Sequence, residues 1–183
     1  MTTIIDRLLE RHSQISAFLE SQNEVSLKSY ADEEFRKVLV LSIASYFEHQ
    51  IIDSVTRLAE SAKSEQVENL IKSKAIARQY HTYFDWESRN ANRFLSLFGS
   101  KFKSEVSTEI NMDRSLGEGC ESFLTLGRVR NRLVHENFAD FNLDYALEDI
   151  VDLYEKALSF VAFLSERIQP KTNTPQHIRR SIH

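Results

Sequence analysis

The sequence predicts an all-α domain, and three observations carry the expectation. Only two prolines occur, Pro170 and Pro175, both near the C-terminus, and only four glycines punctuate 183 residues, so long helices can run without interruption. Apolar residues recur at intervals of three and four through nearly the whole body, the period that lays one face of a helix against a core. The 42% hydrophobic and 27% charged residues suit a globular chain with a sizeable core and are too apolar for disorder. Residues 1–169 are therefore expected to form a single helical domain with long central and C-terminal helices. Residues 170–183, polar and carrying Arg179 and Arg180, are expected to be a mobile tail.

Thr3 can cap a first helix that runs to about Gln22, with Asp6 where a carboxylate favours the positive end of the dipole. Its predicted buried stripe is Ile4, Leu8, Ile15, Phe18 and Leu19. Ser29 offers the next cap, and Asp32, Glu33 and Glu34 load the first turn of the longest helix. From Phe35 to Leu58 its apolar residues cover more than one face, which predicts a central position. Glu48 lies among aromatics there, so it must face solvent or meet a cation; His49 reads as a boundary residue. A third helix is predicted over Glu65 to Tyr80, with Val67, Leu70, Ile71 and Ala75 inward.

The aromatic run from His81 to Trp86 breaks that periodicity and fits a core plug better than a base-stacking platform. Glu87 to Phe98 predicts a helix closed by Gly99, and Phe102 with Val106 a short further piece. Gly117 and Gly119 are expected to loosen the approach to a helix that starts near Cys120. Beyond Phe138, Asp140 or Asn142 can cap a last helix with the stripe Leu143, Leu147, Ile150, Tyr154, Leu158, Val161 and Ile168, stopped by Pro170.

Composition also excludes. A net charge of −4 argues against a protein that coats nucleic acid, so any nucleic-acid contact must be local. Cys120 is the only cysteine, which precludes an intrachain disulfide and a Cys-rich zinc site and fits a reducing, cytoplasmic setting. No His-Glu-x-x-His spacing or nucleotide-binding fingerprint occurs, so neither metal nor cofactor is expected. A signal peptide and an apolar run of membrane-spanning length are absent, and no membrane partner is expected.

The most chemical stretch is Gly127 to Phe138, which crowds Arg128, Arg130, Asn131, Arg132 and His135 into about two helical turns. On an ideal helix Arg128, Asn131, Arg132 and His135 share a face, while Arg130 is rotated by about 140° from His135. The wheel alone therefore favours Arg128 or Arg132 as the partner of His135. A guanidinium can fork onto phosphate oxygens and an imidazole can pass a proton near neutrality, so the cluster suits RNA cleavage by the 2′-hydroxyl. The plainer alternative is a solvated, basic helix end in which the arginines favour the dipole and His135 caps a carbonyl.

Within this stretch Arg130-Asn131-x-x-x-His135 resembles the signature of the HEPN superfamily, helical domains that often act as metal-independent RNA nucleases. Asn92 to Gly99 and the long final helix look like the RiboL-PSP type of HEPN domain, so the resemblance covers most of Phe35 to Ile168. It implies Arg130 and His135 as catalytic residues, with Asn131 orienting the histidine or the phosphate. Arg128, Arg132 and Glu48 fall into supporting or substrate-binding roles, Glu48 as the polar residue that some HEPN families project from an early helix. The motif thus selects Arg130 where the wheel selects its neighbours.

The same resemblance implies a homodimer with a composite site, RNA as substrate, an antitoxin or other regulatory protein as partner, and a role in toxin–antitoxin, antiphage or stress responses. One histidine per subunit in the cluster is too few for separate acid and base, an independent physical reason to expect a two-fold dimer. Two other classes of function compete: a non-catalytic HEPN module that binds RNA, nucleotide or a protein, and a helical adaptor whose arginines dock an acidic partner.

Overall fold

Thr3 Oγ1 accepts from the Asp6 amide at 3.1 Å while Asp6 Oδ2 accepts from the Thr3 amide at 2.7 Å, a reciprocal box that satisfies two donors at the start of α1 (Ile4–Ser21). A computed structural model of the chain describes residues 2–169; the predicted stop at Pro170 and the tail 170–183 lie outside them. The inward stripe of α1 is Ile5, Leu8, Leu9 and His12, whereas Ile4, Ile15 and Phe18 are exposed. The predicted stripe is corrected for a physical reason. α1 packs chiefly on one neighbour, so burial follows one narrow line spaced by three and four, with an imidazole in it. His12 Nε2 lies 3.0 Å from Asp32 Oδ1 and its ring stacks on Phe35.

Asn23, at φ 57°, reverses the chain. The Glu24 amide donates to the Leu19 carbonyl and the Asn23 amide to Glu20, the paired bonds by which a left-handed residue ends a helix. α2 (Val25–Glu60) follows at once, four residues before the expected cap at Ser29. Its N-cap Glu24 makes no side-chain hydrogen bond, so no local signal marks the start. The central position is as expected: α2 packs against α1 and against two later long helices, burying Leu39, Ile43, Phe47 and Ile51. Lys37 is buried too, its Nζ 3.0 Å from Glu34 and directed at the Phe138 carbonyl and ring, which fastens the loop after the Arg/His segment.

The helix predicted over residues 65–80 is broken into α3 (Glu65–Ile71), a π-helical turn (Lys72–Ile76) and α4 (Tyr80–Tyr83). Val67 and Leu70 are exposed, and α3 has no fully buried residue, so little packing enforces a regular helix here. Ala77 leaves the helical region and Arg78 enters the left-handed one at φ 56°. The aromatic run then plugs the core, as its composition suggests. Tyr83 and Phe84 are buried, and Phe84 stacks on Phe94 and meets Phe123 edge-on.

The helix predicted from Glu87 shrinks to α5 (Asn92–Ser96), with Leu97 exposed and Gly99 at φ 98°. α6 (Ser100–Met112) is longer than the short piece expected. α7 (Arg114–His135) starts six residues before Cys120 because Asp113 Oδ1 accepts from the Ser115 and Leu116 amides. Gly117 and Gly119 therefore lie inside a helix. At Gly119 a Cβ would stand 2.7 Å from the Lys156 carbonyl oxygen, so this glycine lets α7 approach α8 (Leu147–Ile168) closely. α8 begins later than Asp140 or Asn142 because the intervening chain stays non-helical while burying Phe141 and Leu143. The Ala146 amide then donates to Asp149.

α2, α7 and α8 share one core with the aromatic plug at its side. The described residues contain helices and no strand. No described helix is long and apolar enough to cross a membrane.

Candidate functional site

The middle of α7, from Gly119 to Gly127, is sunk between α2 and α8, and its last two turns emerge beside α2 to wall a cavity of about 480 Å³. Glu48 comes from α2, Arg130, Asn131 and His135 from the end of α7, and Arg78, Tyr80, His81 and Trp86 from the segment between α3 and α5. The floor is apolar, with Phe47 and Phe123. Four of the six residues predicted for the site, Glu48, Arg130, Asn131 and His135, are thus brought together.

Arg128 and Arg132 are not among the lining residues. The Arg128 guanidinium donates to Thr125 Oγ1 at 3.2 Å. Arg132 Nε pairs with Glu136 at 3.1 Å, and its guanidinium lies over the Phe141 ring. The wheel favours these two arginines, but the breadth of the concave face lets Arg130 line the cavity with His135. Measured from Gly127, Arg130 lies about 60° to one side and His135 about 80° to the other, with Asn131 and Val134 between them. Arg130 and His135 stand at opposite margins of one wall, and a long guanidinium side chain can reach inward from the margin. The α7 helix stays regular through His135 and ends at Glu136, whose amide closes on the Arg132 carbonyl.

Arg130 Nη1 donates to Asn131 Oδ1 at 3.2 Å, so the amide side chain orients the guanidinium rather than the imidazole. Glu48 is half-buried at the facing wall. Burial pushes the Tyr80 phenol well above its ordinary range; the charge of Glu48 adds to the rise and that of Arg130 opposes it. Tyr80 therefore stays a hydroxyl donor within reach of both fields. Neither Arg78 nor Arg130 has a carboxylate partner among the described residues. Two guanidinium groups against one carboxylate make a locally cationic cavity in a chain of net charge −4, the local arrangement that an anionic ligand requires.

Two residues escaped the sequence reading. Arg78 and His81 belong to a segment about fifty residues before the motif, and only tertiary packing brings them to it. Trp86 Nε1 donates to the His81 carbonyl at 3.2 Å, and the Trp86 indole covers Gly127, where a Cβ would fall 2.0 Å from the ring. The left-handed conformation of Arg78 was the signal that a sequence could not display. His81 also changes the count of imidazoles: the chain lines the cavity with two, His81 and His135, not one. Cys120, the sole thiol, is buried and pushed up to about 11 by that burial, so it offers no nucleophile. Among the described residues no three His, Cys, Asp or Glu side chains are grouped to hold a metal ion.

An all-helical bundle with an Arg-x4-His pair on the emergent end of its penultimate long helix defines a HEPN domain. The chain belongs to the RiboL-PSP-HEPN family, whose model matches residues 6–169 and so takes in α1 as well as the region from Phe35 onward. No curated protein and no solved structure matches it.

Proposed function

We propose that the protein is a metal-independent endoribonuclease, acting on RNA in a toxin–antitoxin, antiphage or stress response in the cytoplasm under the control of a partner protein. The observation that carries this reading is the convergence of Arg130, Asn131 and His135 with Glu48 on one cationic cavity. Family membership supports an RNA-related role. The chemistry needs no protein nucleophile: the ribose 2′-oxygen bonds to the phosphorus as its proton passes to an imidazole. The bond from phosphorus to the 5′-oxygen breaks, and that oxygen takes a proton from an imidazolium. Arg130 holds the non-bridging oxygens as their charge grows. The products are a 2′,3′-cyclic phosphate and a 5′-hydroxyl, and DNA is spared.

The second imidazole comes from His135 of a two-fold related subunit in the composite-site reading. His81 supports a second arrangement, in which one chain supplies both. Sedimentation with a parallel RNA-cleavage assay in EDTA separates them. A composite site predicts a dimer at micromolar concentration and a His81→Gln protein that retains most of its activity. A fully active monomer that loses activity in His81→Gln would instead place acid and base in one chain. An absence of cleavage by the wild type under any activating partner would leave a binding module.

A further inference from the structure

A second cavity, of about 790 Å³, lies between α1 and α2 and takes no part in the site described above. Its polar wall is made by Arg7 and Arg11, one turn apart on α1, and by Ser42, Ser45, Tyr46 and His49 of α2. No carboxylate lines it. Among the described residues neither arginine has an ion-pair partner, although 27 acidic residues outnumber 23 lysines and arginines in the chain. Both arginines are exposed. Asp6, beside Arg7, is turned away to accept from the Thr3 amide, and Glu10, beside Arg11, is exposed and forms no ion pair with either arginine among the described residues. A pair of unneutralised guanidiniums with hydroxyl donors opposite them is chemistry suited to phosphate oxygens.

Its position specifies which phosphate. Glu48 lines the first cavity and His49 the second, and successive residues of a helix point about 100° apart. The two cavities therefore flank the same turn of α2. Passing over a helix of roughly 10 Å diameter takes on the order of three nucleotides at the ~3.4 Å axial rise per nucleotide of a stacked strand. We propose that the Arg7/Arg11/His49 groove binds the backbone phosphates of the RNA strand a few nucleotides away from the linkage held in the first cavity. The assignment rests on the nuclease reading for its choice of ligand, and on the groove's own charge for its location. The groove gives affinity without base selection, because phosphate contacts fix register and carry no sequence information directly.

The test uses the full chain and a 2′-O-methyl RNA, which cannot be cut, long enough to span both cavities. Binding is followed by fluorescence anisotropy over a series of salt concentrations. Arg7→Glu/Arg11→Glu is expected to raise Kd by roughly tenfold or more and to flatten the slope of log K against log salt by about 1.4, the share of two phosphate contacts on a single strand. Arg7→Gln/Arg11→Gln, with an unchanged Tm, should show the same trend more weakly. Reversal of the exposed Lys101 and Arg114, which line neither cavity, should leave Kd within about twofold.

In the wild type kcat/KM for a long RNA is expected to exceed that for a dinucleotide, and Arg7→Glu/Arg11→Glu should shrink this ratio. If the wild type cuts RNA but the double variant binds it as tightly, the groove assignment is overturned and the nuclease reading stands. If the wild type binds without cutting and the double variant loses binding, the groove stands and the cleavage reading falls. A double variant that turns a dimer into monomers would make the groove a contact between copies and overturn its assignment to RNA.

Discussion

Arg130→Ala and His135→Ala are each expected to lower the rate of RNA cleavage by about 10³-fold with little change in Tm. The size follows from role: a positioned acid–base group contributes about 10²–10⁴-fold, and a donor aimed at growing charge about 10²–10³-fold. The small effect on stability follows from place, since His135 is exposed and Arg130 only half-buried at the cavity rim. The two losses should not multiply, because each group acts on a transition state that needs both. Arg130→Lys keeps the charge and loses the fork, so it should recover only part of the rate. Arg128→Ala and Arg132→Ala should stay within a few-fold of wild type, because their guanidiniums serve Thr125 and Glu136 outside the cavity. A loss confined to Arg128→Ala would reassign the partner of His135.

Gly127→Ala should destabilise the protein by about 2 kcal/mol, although alanine is the better helix former by about 1 kcal/mol. The new methyl would meet the Trp86 ring at 2.0 to 2.2 Å, so a rigid indole packed against Phe84 and Phe123 must leave its bed. Overpacking of this kind costs about 1–3 kcal/mol, and displaced apolar area adds to it. The sign should reverse once the ring is gone. In a Trp86→Ala background, Gly127→Ala should stabilise by about 1 kcal/mol, giving a coupling of about 3 kcal/mol in the double-mutant cycle. Chemical denaturation measures all four corners. Where one chain supplies both imidazoles, Gly127→Ala alone should also impair cleavage, since moving Trp86 releases the hydrogen bond to the His81 carbonyl at the cavity wall; in a composite site it should leave cleavage nearly unchanged. Additive stabilities would mean that Trp86 does not rest on Gly127.

Features encoded within one turn of chain were legible in the sequence. Thr3 as a cap and Asp6 as a first-turn carboxylate signalled α1 because both effects are local, the reciprocal box between them appearing only in the structure, and the width of the apolar face of α2 announced its central place. Starts without a side-chain cap, such as Val25, were not legible. Nor was the break after Ile71, where weak packing lets the chain pass through a π-turn into a left-handed Arg78. The motif pointed to Arg130 and His135, but how two residues about 140° apart could share a cavity depended on its width, which the facing α2 helix and the Trp86 segment set. Arg78 and His81 became visible only when the aromatic plug, legible by composition, docked against Phe123 and carried its neighbours to the α7 terminus.

The most direct test is the end chemistry of an RNA incubated with the pure protein in EDTA, together with whatever partner activates it. The account predicts a 2′,3′-cyclic phosphate on the upstream fragment and a 5′-hydroxyl on the downstream one, absent with His135→Ala and absent from DNA. Fragments ending in a 3′-hydroxyl and a 5′-phosphate, or cleavage that persists in His135→Ala, would contradict it.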